Sequence, residues 1–259
     1  MVHEITILGS SGTKGKHGGT SAFYIDEKNV IDAGNLLRPL GAATARIETI
    51  WLTHSHLDHI MDIAYILDSY FEERNRPLVL RGLPETLEAI RAHFLNDQIW
   101  PDFSKIDLVG QEVASLQYEP IDTGVRYALG AERYIEAYPT DHTVPSCGYI
   151  VTEDQSSVLI TADTYSLAST LKSIEADEKI SAVVVECSFP SAMRSLAEVS
   201  KHLTPELLFE GLRPLEKRGI TLYVNHMKPL CREKIEEEIS RKKGAWKVKI
   251  LKDGEKIHF

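Results

Sequence analysis

The chain is short of cysteine, of positive charge and of long apolar runs, and each shortage excludes a class of protein. Its three cysteines, Cys147, Cys187 and Cys231, lie too far apart for a Cys-x-x-Cys pair or a disulfide framework. They read as reduced thiols. Lys and Arg number 29 against 38 Asp and Glu, a formal net charge of −9. Apart from Arg241-Lys242-Lys243 there is no basic stretch, so the chain lacks the electrostatic footprint of a nucleic-acid binder. A small anionic substrate is still compatible with that charge, because bound metal ions supply local positive charge. No apolar run approaches the ~20 residues needed to cross a bilayer. Met1-Val2-His3-Glu4-Ile5 carries no basic segment ahead of a long apolar core. The expectation is a cytoplasmic protein with no membrane partner, folded as one domain over residues 1–259.

What is present is an ordinary globular composition, 43% hydrophobic and 26% charged, with no repeat or long linker. Short strands are expected at Ile5 to Leu8, in a hairpin from Ser21 to Ile31, up to Thr53, at Leu78 to Leu80 and at Tyr134 to Tyr138. Tyr149 to Val151 and Val158 to Ile160 read as a second hairpin. Ala182 to Val185 reads as a buried strand and Ile220 to Val224 as a further strand. Helices are expected from Leu36 to Ala45, from Leu57 to about Arg74, from Pro84 to Leu95 and from Leu167 to Ile174. Two more are expected after the Thr204 cap with Pro205 at its first position, and within Lys228 to Lys242. A terminal hairpin turning at Asp253-Gly254 closes the list, and residues 96 to 130 show no clear pattern. Strands followed by helices in both halves predict an α/β fold of two mixed sheets covered by helices.

His54-Ser55-His56-Leu57-Asp58-His59 carries the chemistry. Three imidazoles and a carboxylate at a strand-to-helix junction are the usual ligands of a hydrolytic metal. His54 and His56 are two apart and share a side on an extended segment. Asp58 and His59 fall on the first helical turn and can face a second ion, an arrangement that clamps a phosphate during in-line displacement. Three further candidates follow predicted strands: His142, Asp163 and His226. His54, His56 and His142 are assigned to one ion, Asp58, His59 and His226 to the other, and Asp163 bridges them. Two divalent metal ions are therefore expected, zinc first, with manganese and iron sharing these ligands. The loop from Gly9 to Gly19 fails as a phosphate loop, because Gly15-Lys16 is followed by His17 and Ser10 stands where the first glycine belongs. It is expected to line the cleft. His3, His17, His93 and His258 read as bystanders.

Thr53 to Ile60, Ile31-Asp-Ala-Gly34, Ala162-Asp-Thr164, Val185-Glu-Cys-Ser-Phe189, His202-Leu-Thr-Pro205 and Asn225-His-Met-Lys-Pro229 together resemble the metallo-β-lactamase superfamily. Within it the chain looks most like the class II cyclic-nucleotide (cAMP) phosphodiesterases. The resemblance implies an αββα sandwich, a dinuclear centre and hydrolysis of cAMP or cGMP to the 5′-nucleotide by a hydroxide bridging the two ions. It assigns His202 as the acid that protonates the leaving 3′ oxygen. Glu186 would hold that imidazole protonated, Asp58 joins these two as a catalytic residue, and Asp32 would support the ligand loop. A homodimer is implied by the resemblance, and the apolar helices between 57 and 95 point to one as well. Lys228 has no assigned role. Asp62 and Lys201 depart from the small residue and glycine usual at their positions, both on the expected substrate side. Rival readings are a tRNA 3′-processing endonuclease, a phosphodiesterase for another small phosphate or phosphonate ester, and a non-catalytic metal-binding scaffold. The absence of a basic Gly/Pro-rich arm, and His226-Met-Lys in place of His-Phe-Ser, oppose the first.

Overall fold

The computed structural model describes residues 3–15, 18–130 and 132–259, without the side chains of 216–218. Period-two alternation places successive residues of a strand on opposite faces, and here both faces are apolar. Val183 and Val185 face one way into a cluster with helices, while Ala182 and Val184 face the other sheet. Strands buried on both faces need cover on both sides, and the chain supplies it in four layers.

The first sheet runs in the order β14 (Lys256–His258), β1 (Glu4–Gly9), β2 (Ala22–Tyr24), β3 (Asn29–Ile31), β4 (Thr49–Trp51), β5 (Leu78–Gly82) and β6 (Leu116–Pro120). It is antiparallel from β14 to β3 and parallel from β3 to β6. The second runs β13 (Lys247–Ile250), β12 (Thr221–Asn225), β11 (Ile180–Glu186), β10 (Ser156–Ile160), β9 (Cys147–Glu153), β8 (Arg133–Pro139) and β7 (Arg126–Gly130). It is parallel from β13 to β10 and antiparallel from β10 to β7. Ile5, Phe23, Trp51, Tyr149, Val184 and Tyr223 belong to the core between the sheets. The helices α2 (Leu57–Ser69) and α3 (Pro84–His93) cover the outer face of the first sheet through Ile63, Ile66, Leu67, Leu87 and Ile90. The helices α4 (Ala168–Ala176), α6 (Pro205–Leu212) and α7 (Arg232–Lys242) cover the second. This is the expected αββα sandwich.

Several boundaries differ from expectation. The segment from Leu36 begins as a single helical turn, α1 (Leu37–Leu40), and continues as a 3-10 helix over Gly41–Arg46. The helix from Leu57 stops at Ser69. The unpatterned stretch 96–130 holds β6 and β7, and the short helix α5 (Arg194–Ser200) was not anticipated. The terminal hairpin does not form. β13 pairs in parallel with β12, whereas β14 crosses to the first sheet and pairs with β1. The turn at Asp253-Gly254 is real, but it is fixed by the glycine loop: the Asp253 carboxylate accepts from Ser10 and Gly19, and the Gly254 amide donates to Ile7.

Candidate metal centre

The expected ligands gather where strands end at one edge of the sandwich. His54 and His56 follow β4, His142 follows β8, Asp163 follows β10 and His226 follows β12. Asp58 and His59 begin α2, with His56 as the residue ahead of it. The structure brings all seven together. Ligand-capable atoms of His54, His56, His142 and Asp163 lie within 4.8 Å of one another, as do those of Asp58, His59 and His226. Asp163 stands between the groups. Its Oδ2 is 3.7 Å from His54 Nε2, 3.5 Å from His59 Nε2 and 3.8 Å from His142 Nε2, and its Oδ1 is 3.3 Å from His226 Nε2. His226 Nε2 is 3.5 Å from Asp58 Oδ2.

The outer nitrogens of four rings are tied to acceptors, which turns the inner Nε2 atoms toward the centre. His59 Nδ1 donates to Asp32 Oδ2 at 2.6 Å and His142 Nδ1 to the Lys201 carbonyl at 3.1 Å. His54 Nδ1 lies 3.0 Å from Thr53 Oγ1, whose hydroxyl donates to Asp32. His226 Nδ1 lies 3.1 Å from Ser188 Oγ, whose hydroxyl donates to Glu186 Oε2 at 2.8 Å. A ring held in this way keeps its tautomer and orientation for a ligand. Asp32 also accepts from the Thr53 amide and from Ser21, so it organises the loop as expected. Thr53 and Ser188 were missed. Both are hydroxyls within two residues of a candidate ligand or a carboxylate at a strand end, and that nearness was a usable signal.

The backbone here is strained. Asp32, Ala162, Lys201 and His226 all have φ between 52° and 59°. Left-handed conformations of non-glycine residues persist where surrounding bonds over-determine them, and they gather at functional sites. Gly12 permits the closest approach: a Cβ there would meet the His226 carbonyl at 2.5 Å and its Nδ1 at 2.9 Å. The glycine loop thus packs against the His226 loop.

Four buried atoms, His54 Nε2, His59 Nε2, His226 Nε2 and Asp163 Oδ1, have no hydrogen-bond partner. At about 1–3 kcal/mol for each unsatisfied buried polar group, the four cost an appreciable share of the roughly 5–15 kcal/mol that keeps a domain folded. The three imidazole nitrogens all approach the Asp163 carboxylate, and all four atoms can donate a lone pair, so the residues fit a divalent metal centre. The electrostatics agree for most of them. Burial, then the neighbouring His59, pushes His54 well below the usual imidazole range, and burial with His142 brings His56 to about 4. Burial likewise lowers His142. Burial opposes ionisation of Asp163, but His226 and His59 outweigh it and hold the carboxylate charged. His59 runs the other way: burial is overcome by Asp32 and Asp163, which raise it. Asp32 accepts from Nδ1, with Thr53 Oγ1 3.3 Å from the same nitrogen, so Nδ1 keeps its proton while Nε2 faces the centre.

His202 and Glu186 lie beside this cluster. Glu186 Oε1 accepts from His202 Nδ1 at 2.7 Å, and the His202 and His226 rings stack with centroids 5.4 Å apart. Burial disfavours a charged His202, yet Glu186 prevails and raises its pKa. Asp62 does not face the substrate side. Its carboxylate is buried and accepts from the Leu36 and Leu37 amides. Lys228 Nζ donates to the Gly12 carbonyl. His3 pairs with Glu153 and Asp154, His93 ends α3 and His258 lies in β14, all outside the centre. His17 lies outside the described residues.

These features define a metallo-β-lactamase fold, and solved structures agree. The chain superposes on the metallo-β-lactamase fold protein YhfI of Bacillus subtilis with a TM-score of 0.75 at 18% identity, over the full length of both chains. It superposes on unliganded yeast PDE1 with a TM-score of 0.78 at 20% identity, again over both full lengths. Within that fold, the family model for class-II cAMP phosphodiesterases matches residues 21–126. The sequence is 23% identical over 229 residues to 3′,5′-cyclic-nucleotide phosphodiesterase 1 of Saccharomyces cerevisiae, covering 76% of this chain and 60% of that relative. The chain thus resembles the class II phosphodiesterases in sequence and shares the fold. Among the described residues no helix is long and apolar enough to cross a membrane. Cys147, Cys187 and Cys231 are unpaired.

Proposed function

We propose that the chain is a phosphodiesterase that hydrolyses 3′,5′-cyclic nucleotides, cAMP or cGMP, to 5′-nucleotides with two divalent metal ions. The observation that carries this reading is the convergence of four partnerless buried ligand atoms beside a hydrogen-bonded His202–Glu186 pair. His54, His56 and His142 would hold one ion, Asp58, His59 and His226 the other, and Asp163 would touch both. Zinc is the first choice, with manganese and iron sharing these donors. Such ions supply Lewis acidity and a nucleophile at neutral pH.

The chain's own part is positioning and proton transfer. Thr53, Asp32, Ser188 and the Lys201 carbonyl fix the four rings, so ligands need not reorganise. His202 donates its proton to the departing 3′ oxygen, which is a poor leaving group as an alkoxide. Glu186 favours the protonated form of His202 and aims the ring through Nδ1. That engagement also argues against His202 as a ligand: the nitrogen 3.9 Å from Asp163 is already bonded to Glu186.

The ligands come from both sheets, which supports a single domain over 1–259. The three unpaired thiols support a cytoplasmic location. The exposed Leu57 and Tyr65 on α2 offer an apolar face for a homodimer. The test is metal analysis with parallel assays on cAMP, bis-p-nitrophenyl phosphate and a pre-tRNA. More than one equivalent of transition metal, with turnover of cAMP and little processing of tRNA, is expected. A metal-free active protein, or efficient cleavage of pre-tRNA with none of cAMP or cGMP, overturns the reading.

A further inference from the structure

We propose that Asp141, Tyr165 and Lys201 form the surface that reads the substrate's base and that they favour adenine over guanine, a step that rests on the hydrolytic reading above. Lys201 ends α5 with φ 56° and ψ 50°. That left-handed cap ordinarily falls to glycine or asparagine, because a Cβ there crowds the backbone. Its carbonyl accepts from His142, a role that any residue could fill. The carbonyl therefore does not explain why a lysine occupies a strained position.

The side chain supplies the reason. Lys201 Nζ lies 3.2 Å and 3.3 Å from the two Asp141 carboxylate oxygens, and 5.5 Å from the centroid of the Tyr165 ring. The pair is more than a third exposed on both sides, so it contributes little to stability. The Tyr165 amide donates to the Asp141 carbonyl at 2.8 Å, which joins the two loops. Asp141 precedes His142, Tyr165 is two residues past Asp163, and Lys201 precedes His202. An aromatic face, an ammonium and a carboxylate thus share one rim beside the centre, on the side of the leaving group.

An aromatic face accepts any base by stacking. The charged pair can choose. Adenine presents the N7 acceptor beside the N6 amino donor, whereas guanine presents two acceptors, N7 and O6. Lys201 donating to N7 and Asp141 accepting from N6 match adenine. Guanine would set O6 against the Asp141 carboxylate, and like partners repel.

The test compares wild type, Asp141→Asn and Lys201→Gly, each loaded with metal. Calorimetry measures binding of AMP and GMP, and kinetics measures kcat/KM for cAMP and cGMP. Wild type should favour adenine by about tenfold, the size of one good two-bond base contact. Asp141→Asn, whose amide can donate to O6, should narrow or reverse the preference. Lys201→Gly should lose it while raising Tm, because the strain is relieved. Equal binding of AMP and GMP by wild type, or an unchanged preference in both variants, overturns the proposal. If no cyclic nucleotide is hydrolysed but AMP is preferred and Asp141→Asn equalises the two, the hydrolytic reading fails and the rim stands. If cyclic nucleotides are hydrolysed at a ratio neither variant moves, the rim fails and the hydrolytic reading stands.

Discussion

Glu186 Oε1 lies 2.7 Å from His202 Nδ1, and both side chains are buried. Glu186 is itself fixed, by the Thr164 amide at Oε1 and the Ser188 hydroxyl at Oε2. A carboxylate so held overcomes the burial that would otherwise neutralise the ring, and it leaves the imidazole protonated to a higher pH.

Glu186→Gln should therefore keep metal while lowering turnover of cAMP by about 10²-fold, within the range for general acid catalysis. The sign of the pH effect follows from the raised His202 pKa. An acid works below its pKa, so activity falls as pH climbs through it. Removing the Glu186 charge lowers that pKa, and the alkaline limb of kcat should move to lower pH. A kcat–pH profile of unchanged shape would mean that Glu186 is a structural support only.

Asp32 makes the same kind of contact to another ring of the cluster, at 2.6 Å from His59 Nδ1. Asp32→Ala removes the acceptor that orients a candidate ligand, and loss of such a partner to a ligating histidine costs roughly 10–100-fold in metal affinity. Competition against a graded chelator reads that loss directly. Retention of both metals at wild-type affinity would show that the strand ends hold His59 without Asp32.

Gly12 packs where a methyl group would strike the backbone and ring of His226. The obstacle is mainly a carbonyl oxygen, which cannot swing aside as a flexible side chain can. Gly12→Ala should cost about 1–3 kcal/mol of overpacking, seen as a lower Tm, and weaken metal retention through His226. An unaltered Tm and metal content would place the two loops farther apart than the structure has them.

Much of this was legible in the sequence because strand ends are local features. Runs such as Val158-Leu-Ile-Thr-Ala162 announce a buried strand, and the Asp163 that follows inherits its position from it. The paired candidate ligands of one helical turn, Asp58 and His59, were equally local. What stayed hidden depends on distant parts of the chain. Asp253-Gly254 has turn chemistry, but nothing nearby reveals that the next strand joins the other sheet. β7 alternates exposed with half-buried residues and carries little apolar signal. Asp62 sits on a helix like many surface carboxylates, and only the fold delivers the Leu36 and Leu37 amides to it.

The last prediction separates the proton donor from the ligands. In the proposed reaction His202 would touch the leaving group and Asp163 the metals, although the two lie only 3.9 Å apart. His202→Ala should keep its metal and lose about 10²–10⁴-fold in turnover of cAMP, the usual worth of a positioned general acid. The loss should shrink on bis-p-nitrophenyl phosphate, since an acidic phenol departs without a proton. Asp163→Ala removes the carboxylate that approaches His54, His59, His142 and His226 alike, so metal and both activities should fall together. If His202→Ala turns over cAMP at the wild-type rate, or sheds metal as Asp163→Ala does, His202 is a ligand or a bystander, and the leaving oxygen takes its proton from elsewhere.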